Sequence, residues 1–84
     1  MKSDLYYIYG ILSVKHRRIY VGLTQNVEKR LEDHNSGRVF STTPFRPWRI
    51  IYKEKVIGII RARVREKYFK SGCGKEFLKN IVRG

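Results

Sequence analysis

The chain has 84 residues, and its 19 Lys and Arg residues against 7 Asp and Glu residues give a formal net charge of +12 at neutral pH. A chain this short buries only about 60–65% of the surface of its unfolded form, which excludes two independent cores. We therefore expect residues 1–84 to form a single domain with any active site close to its surface. The hydrophobic fraction of 42% excludes a disordered basic tail.

The positive charge predicts a polyanionic partner, because it attracts phosphate backbones, and DNA, RNA and the ribosome all fit. An anionic membrane surface fits the charge as well, but the sequence has no long basic amphipathic helix to go with it. No run of about 18 apolar residues and no signal-like segment is present. The single cysteine, Cys73, can form no internal disulfide. We expect a cytoplasmic protein that binds nucleic acid and does not bind membranes.

The first part of the chain predicts a β-hairpin. Residues 5–12 are almost all aromatic or aliphatic and predict a first strand. Residues 18–23 predict a second strand, after a polar break. If the register permits, the two strands present Tyr9 and Tyr20 on the same side of the sheet. The faces that carry these two tyrosines are predicted to carry also Tyr7, Ile11 and Gly22.

A helix is predicted to follow the hairpin. Residues 24–26 supply candidate capping oxygens, and Gly37 can adopt the left-handed conformation that ends helices. Between them, four residues fall at the i, i+3, i+4 and i+7 positions of one stripe: Val27, Arg30, Leu31 and His34.

The centre of the chain predicts an irregular connection and then a third strand. Residues 39–48 contain Pro44 and Pro47, which forbid a regular helix or a central strand. Residues 49–56 show alternation and predict the third strand.

Two helices are predicted to complete the chain. The spacing of Ile60, Val64 and Tyr68 predicts a helix that begins near Gly58, although residues 56–60 could instead prolong the strand. We expect Gly72 and Gly74 to end that helix. A final helix over residues 75–83 would return apolar side chains to the core, namely Phe77, Leu78, Ile81 and Val82. The predicted fold class is α+β, with a small three-stranded antiparallel sheet flanked by helices in the order β-β-α-β-α-α.

The residues that could carry chemistry each have an ordinary structural explanation. Tyr9 and Tyr20 could be core aromatics, because aromatic strand residues usually pack. Arg30 is unusual in an apolar stripe, but its head group could reach solvent. Glu66 is an acid in a basic helix, and it could form an ordinary i, i+4 pair with Lys70.

Taken together, the order and spacing of these residues match a known signature. Residues 7–9 are Tyr-Ile-Tyr, and residues 20–22 are Tyr-Val-Gly. The later matching positions are Thr24, Arg30, 34–37, Pro47, Ala62, 65–67 and 70–72. From about Tyr6 to Lys79, the chain resembles the GIY-YIG nuclease domain, in particular its small stand-alone, UvrC-like bacterial members.

The chain departs from that family at a few positions. Tyr7 stands where the family name has Gly, and Val21 stands for Ile. Residues 57–60 replace the polar helix cap that such members usually show. Many members also have an Asn near the domain end, for which Asn80 is the one candidate.

The resemblance implies a metal-dependent endonuclease that hydrolyses DNA phosphodiester bonds in repair or processing. The alternative is a non-catalytic, basic nucleic-acid-binding module of the same fold. The implied catalytic residues are Tyr9, Tyr20, Arg30, His34 and Glu66. The implied substrate-binding residues are Tyr7, Gly22, Thr24, Lys67, Lys70 and Asn80. The implied partners are DNA, branched or damaged forms included, and a protein that supplies specificity.

The resemblance also implies a role for each catalytic group. Glu66 would be the single protein ligand of one Mg²⁺ or Mn²⁺ ion, which binds weakly without DNA because waters and phosphate oxygens complete its octahedron. Arg30 would clamp the phosphate bidentately. Tyr9 is the leading candidate for the base, with Tyr20 as its positioning partner, although the two roles could be exchanged. A free phenol has a pKa near 10, and we expect Arg30, the metal and the positive field to lower it. His34 would orient a phosphate or a tyrosine, or cap the helix.

Overall fold

The computed structural model describes residues 4–83, so residues 1–3 and 84 of the predicted single domain lie outside the described residues. The elements follow the predicted order and confirm the predicted fold class. They are β1 (Leu5–Ser13), β2 (Ile19–Thr24), α1 (Val27–Ser36), a short 3₁₀ helix (Thr43–Phe45), β3 (Trp48–Ile57), α2 (Ile59–Lys70) and α3 (Gly72–Arg83). The sheet is antiparallel with the strand order β2-β1-β3. Within residues 4–83, no helix has the length and apolar character needed to cross a membrane.

The register of the hairpin sets which side chains share a face of the sheet. Tyr9 lies opposite Gly22, and Ile11 lies opposite Tyr20. Directly paired residues point to the same face, so the predicted shared side of Tyr9 and Tyr20 is confirmed. This face packs with α1 around a core of Tyr9, Ile11, Val27 and Trp48.

The other face of the sheet packs against α2 and α3. Ile8 and Val21 are buried there together with Ala62, Phe69 and Leu78. Because successive side chains of a strand point to opposite faces, neighbouring residues of β1 such as Ile8 and Tyr9 belong to different cores. The sheet is therefore the middle layer of the molecule.

Helix α1 forms as its sequence predicts. The Asn26 side chain accepts a hydrogen bond from the backbone N–H of Lys29, which caps the first turn. Gly37 ends the helix with φ 87°, a left-handed conformation that favours glycine. Val27 and His34 of the predicted stripe are buried. The helix therefore presents His34 to the sheet.

Helix α2 begins after Gly58, as predicted, and the residues whose spacing predicted it do not face the sheet. Ile60 and Val64 are 80% and 62% exposed. The residues that α2 buries are Ala62 and Phe69, which stand seven positions apart and so share one stripe. Glu66 stands on that stripe between them, with its side chain only 14% exposed. The apolar spacing that predicted this helix therefore lies on its exposed side.

A polar network between β3 and α2 helps to set this orientation. The Arg65 guanidinium donates to both carboxylate oxygens of Glu54, at 2.6 and 2.8 Å. The Tyr52 hydroxyl donates to the same carboxylate at 2.6 Å. Paired in this way, Arg65 holds the pKa of Glu54 below its usual value. The bidentate pair fixes which side of α2 meets the strand.

Gly72 and Gly74, which were predicted to end α2, are instead part of α3. Helix α2 ends at Lys70, and α3 begins at Gly72 with Gly74 already inside it. Gly74 is buried, and a Cβ there would overlap the Tyr68 carbonyl oxygen and the Phe69 Cα. Gly74 therefore allows the two helices to approach closely. The prediction for the core of α3 was correct for Leu78 but wrong for Phe77 and Ile81, which are 45% and 39% exposed.

We expect Gly74→Ala to lower the free energy of unfolding by about 2 kcal/mol, because the added methyl group meets rigid backbone. The melting temperature should fall by about 10 °C in a chain of this size. Gly72→Ala is the matched control, since a Cβ there meets nothing within 4 Å. Thermal unfolding followed by circular dichroism checks both variants, and equal stability of the two would contradict this packing role.

Candidate active site

A buried chain of hydrogen bonds joins β1, α1 and the loop that follows α1. The Tyr9 hydroxyl lies 2.9 Å from Nε2 of His34, and His34 Nδ1 lies 2.8 Å from the Thr42 hydroxyl. Because the Thr42 hydroxyl donates to the Val39 carbonyl oxygen, it accepts from His34 Nδ1–H. The network thus assigns the histidine tautomer: Nε2 carries no proton and accepts the hydrogen bond of Tyr9.

Two further aromatic side chains, those of Tyr20 and Trp48, pack around these hydrogen-bonded residues. The Tyr20 ring packs edge-on to His34, with the ring centroids 4.9 Å apart. Its centroid lies 6.4 Å from those of Tyr9 and Trp48. The indole N–H of Trp48 donates to the Thr42 carbonyl at 2.9 Å. The loop that carries Thr42 is therefore held against the sheet by the same cluster.

Gly22 leaves the space that Tyr9 fills. A Cβ at Gly22 would overlap the hydroxyl oxygen and the ring of Tyr9, which lies directly across the strand pair. Any side chain at this position would push the phenol away from His34. The structure thus gives Gly22 a packing role, while its predicted contact with substrate stays a prediction.

Burial governs the protonation of both central groups. It raises the pKa of Tyr9 to about 12, because the opposing hydrogen bond and charge of Arg30 are too weak to reverse it. Arg30 lowers the pKa of this phenol as expected, but in the protein without metal and substrate the net shift is upwards, because burial outweighs Arg30. Burial also lowers the pKa of His34 to about 4, with help from the positive charge of Arg30. Both groups are neutral at pH 7.

Arg30 and Glu66 act on the phenol through their charges, from α1 and α2 on opposite faces of the sheet. Charge on Arg30 lowers the pKa of Tyr9, and charge on Glu66 raises it, so both act on the same hydroxyl. Arg30 also lies 3.7 Å from Asp33. Glu66 makes the ordinary helical pair with Lys70, at 3.1 Å, and a second one with Arg63, at 3.3 Å. The intrahelical explanation of Glu66 therefore holds, and its link to Tyr9 is a charge effect weaker than that of Arg30.

The donor set for a cation at this site is sparse. Within residues 4–83, no group of three or more His, Cys, Asp and Glu side chains could hold a metal ion. Glu66 offers a carboxylate, which is the ligand type that Mg²⁺ and Mn²⁺ prefer. Its oxygens are ion-paired with Arg63 and Lys70, which compete for it. These residues fit an ion that takes most of its ligands from water and substrate phosphate, and they do not fit a resident structural metal.

The remaining predicted substrate residues lie in several places. Tyr7 is on the Tyr9 face, with the Lys53 ammonium 5.7 Å from its ring centroid. The Thr24 hydroxyl accepts from the Asn26 backbone N–H at 3.1 Å and so shapes the entry to α1. Lys67 is exposed on α2. These positions show no direct conflict with a substrate role, which stays a prediction.

Asn80 lies apart from this group. It is on α3, which packs through Leu78 on the face of the sheet opposite to Tyr9. Its side-chain oxygen accepts from Arg83 at 3.4 Å. The structure therefore places Asn80 with the cations of α3 and not with the phenol.

Sequence reasoning did not identify Thr42 or Trp48 as parts of the site. Thr42 lies in the connection that the prolines predict to be irregular, and it is only 2% exposed. No periodicity marks a loop residue as buried, so its contact with His34 becomes visible only in the folded chain. The sequence did point to Asn35, because it stands beside His34 in the matched stretch 34–37. Its amide bonds both the N–H and the carbonyl of Trp48, at 2.7 and 3.0 Å.

Comparison with known proteins identifies the family of this chain. A family model described as the GIY-YIG catalytic domain matches residues 5–79. The chain belongs to the GIY-YIG family. It therefore has a nuclease-type fold, which covers nearly the whole of its length.

Several bacterial relatives of similar length carry the name UPF0213 protein. The relative from Syntrophus aciditrophicus is 35% identical over 77 residues, covering 89% of this chain and 87% of its own length. The relative from Bacillus licheniformis is 37% identical over 71 residues, covering 83% and 72%. The relative from Staphylococcus saprophyticus is 33% identical over 82 residues, covering 96% and 99%. No solved structure gives a significant match.

The buried histidine predicts a loss of stability in mild acid. The pKa of His34 is about 4 in the folded protein and near its ordinary 6.5 in the unfolded chain, so the unfolded chain binds the proton more readily. The stabilisation is present above about pH 6.5 and is lost as the pH falls towards 4. We expect the free energy of unfolding to fall by about 2 kcal/mol between pH 7 and pH 4.5.

Urea unfolding at the two pH values measures this loss. His34→Gln should flatten the pH dependence, because glutamine does not titrate. His16→Gln is the matched control, since His16 is exposed and should leave the loss unchanged. An equal pH dependence in all three proteins would show that His34 is not the titrating group.

Proposed function

We propose that this protein is a divalent-metal-dependent endonuclease that hydrolyses phosphodiester bonds in DNA, with a role in DNA repair or processing. One observation carries the proposal: the buried Tyr9 phenol is hydrogen-bonded to His34 and lies within the electrostatic reach of both Arg30 and Glu66. A base, a cation for the phosphate and an acid that can hold a metal are what this hydrolysis needs. The net charge of +12 favours a polyanionic substrate.

The histidine tautomer supplies a route for the proton of the attacking water. The water proton passes to the Tyr9 oxygen while the Tyr9 proton passes to the free Nε2 of His34. His34 then becomes an imidazolium that Thr42 still holds through Nδ1–H. The water oxygen forms the new bond to phosphorus, and the bond from phosphorus to the leaving oxygen breaks. The relay avoids a free phenolate, which the pKa of about 12 disfavours.

Arg30 and Glu66 act on the phosphate in this scheme. The Arg30 guanidinium is partly exposed beside the phenol, so it can donate two hydrogen bonds to the scissile group. Glu66 is the residue that would hold Mg²⁺ or Mn²⁺. When bound there, the ion would neutralise charge on the phosphate and stabilise the leaving oxygen. Lys70 and Arg63 must release the carboxylate first, which fits weak binding of the ion without DNA.

We expect the protein to nick supercoiled plasmid when Mg²⁺ or Mn²⁺ is present. Tyr9→Phe and Glu66→Gln should each lower the nicking rate by about 100-fold or more, because the first removes the proton acceptor and the second removes the carboxylate that would hold the metal ion. Both variants should keep salt-sensitive DNA binding. Gel separation of supercoiled and nicked plasmid measures the rate.

The matched controls are Tyr6→Phe and Glu76→Gln. Tyr6 packs on the opposite face of the sheet, and Glu76 is an exposed residue of α3. Neither should lose activity. Nicking at the wild-type rate by Glu66→Gln would reject the metal role. If the wild type cuts no duplex, nicked or branched DNA, the protein is better described as a binding module of the same fold.

Gly22→Ala tests the geometry without removing a reacting group. The added methyl group displaces the Tyr9 hydroxyl from His34, so nicking should fall by about 100-fold. Gly10→Ala is the matched control on the same strand pair. Its Cβ would meet Leu78 at 3.4 Å, an ordinary contact, so its nicking rate should stay within about 3-fold of the wild type. Equal activity of the two variants would show that the position of the phenol does not limit the reaction.

A further inference from the structure

Helix α3 carries a stripe of cations that the proposed chemistry does not use. Lys75, Lys79 and Arg83 stand four positions apart, and residues at this spacing share one face of a helix. The stripe is about 12 Å long. That length corresponds to about three nucleotides of one DNA strand. We call Lys75, Lys79 and Arg83 the α3 stripe.

The α3 stripe lies against β2, the strand that carries Tyr20. The Lys75 ammonium donates to the Ile19 carbonyl oxygen at 3.0 Å. Lys79 and Arg83 line a surface cavity of about 220 Å³ together with Ile19 and Arg17. Arg17 is in the hairpin turn between β1 and β2. The cations of α3 and of the hairpin therefore meet in one basic cavity.

At its other end, the stripe continues towards Glu66. Lys70 and Lys79 both act on Lys75, whose pKa is lowered by burial and by these two charges. Lys70 is paired with Glu66 at 3.1 Å. Cationic groups thus follow one another from Glu66 along α3 to the hairpin turn. One acid, Glu76, pairs with Arg83 at 3.6 Å and neutralises part of this charge.

We propose that the α3 stripe and Arg17 form a binding site for the phosphates of the DNA strand that leaves the active site along β2. The inference rests on the proposed function for the identity of its ligand. A cavity lined by Arg17, Lys79 and Arg83 suits phosphate oxygens, because guanidinium groups bind them bidentately. Contacts of this kind position a backbone and do not read its sequence. The stripe therefore sets the direction of the DNA strand and favours binding without sequence preference.

The test measures binding of a fluorescein-labelled duplex of about 20 base pairs by anisotropy, with EDTA present and salt varied from about 50 to about 200 mM. The double variant Lys79→Gln/Arg83→Gln should bind about 10-fold more weakly at the middle of this range. The slope of log K against log salt should fall by about 2, because two phosphate contacts are lost.

The matched control is Lys55→Gln/Arg61→Gln, which removes the same charge on the β3 side. Lys55 is on β3, the edge strand opposite to β2, and Arg61 is on the exposed side of α2 beside it. This variant should bind within about 3-fold of the wild type, with a slope change below about 1. Equal weakening in the two double variants would overturn the stripe as a site and would leave the nuclease function standing.

A nicking assay on the same proteins separates the two proposals. If the wild type cuts no DNA but the α3 variant alone loses affinity and slope, the nuclease proposal fails and the phosphate site holds. If the wild type shows no salt-sensitive binding, the phosphate site fails. Thermal unfolding of both double variants verifies that they remain folded, and all four substituted positions are exposed.

Discussion

The buried hydrogen-bond chain from Tyr9 through His34 to Thr42 is the constraint on which the site depends. Its members come from a strand, a helix and a loop, and each is at most 2% exposed. A buried polar group without a partner destabilises a fold by about 1–3 kcal/mol, so none of the three segments can shift alone. Trp48 extends the constraint, because its indole N–H and its backbone hold the loop and the end of α1. The phenol is thus positioned by the fold itself.

The same burial keeps the site neutral while the rest of the molecule is strongly cationic. It raises the pKa of Tyr9 and lowers that of His34, so neither group carries charge at pH 7. In the proposed mechanism, a bound phosphate raises the pKa of His34 again, because a nearby anion favours its imidazolium form. Proton transfer through Tyr9 then becomes easier once the substrate is bound. Substrate binding and activation of the base are coupled by charge.

The hairpin and α1 could be predicted from sequence because their apolar periodicity matches their burial. Alternation set the faces of Tyr9 and Tyr20, and the stripe from Val27 to His34 set the inner face of α1. In helix α2, apolar periodicity and burial do not match. Its inward stripe contains Glu66 between Ala62 and Phe69, whereas its most regular apolar residues, such as Ile60, are exposed.

The failure at α2 has a physical cause that bears on function. The buried face of a helix is set by the sum of its contacts with its neighbours. Here the bidentate pair of Arg65 with Glu54 and the close packing of the small Ala62 stabilise this orientation more than burial of the apolar stripe would. This choice turns Glu66 towards the sheet, where its charge acts on the phenol. Had the apolar residues turned inward, Glu66 would lie on the solvent side of α2. A polar residue on an inward stripe violates the usual pattern, and such violations are expected at functional sites.

The matched positions of the family signature divide into two kinds once their contacts are known. Gly22 and Asn35 shape the site: one leaves room for Tyr9, and the other pairs with the backbone of Trp48. Arg30 and Glu66 instead have exposed or ion-paired head groups that a substrate could engage. A sequence match weighs the two kinds equally, because both are required for the site to exist. Only the contacts separate residues that hold the geometry from residues that can meet the substrate.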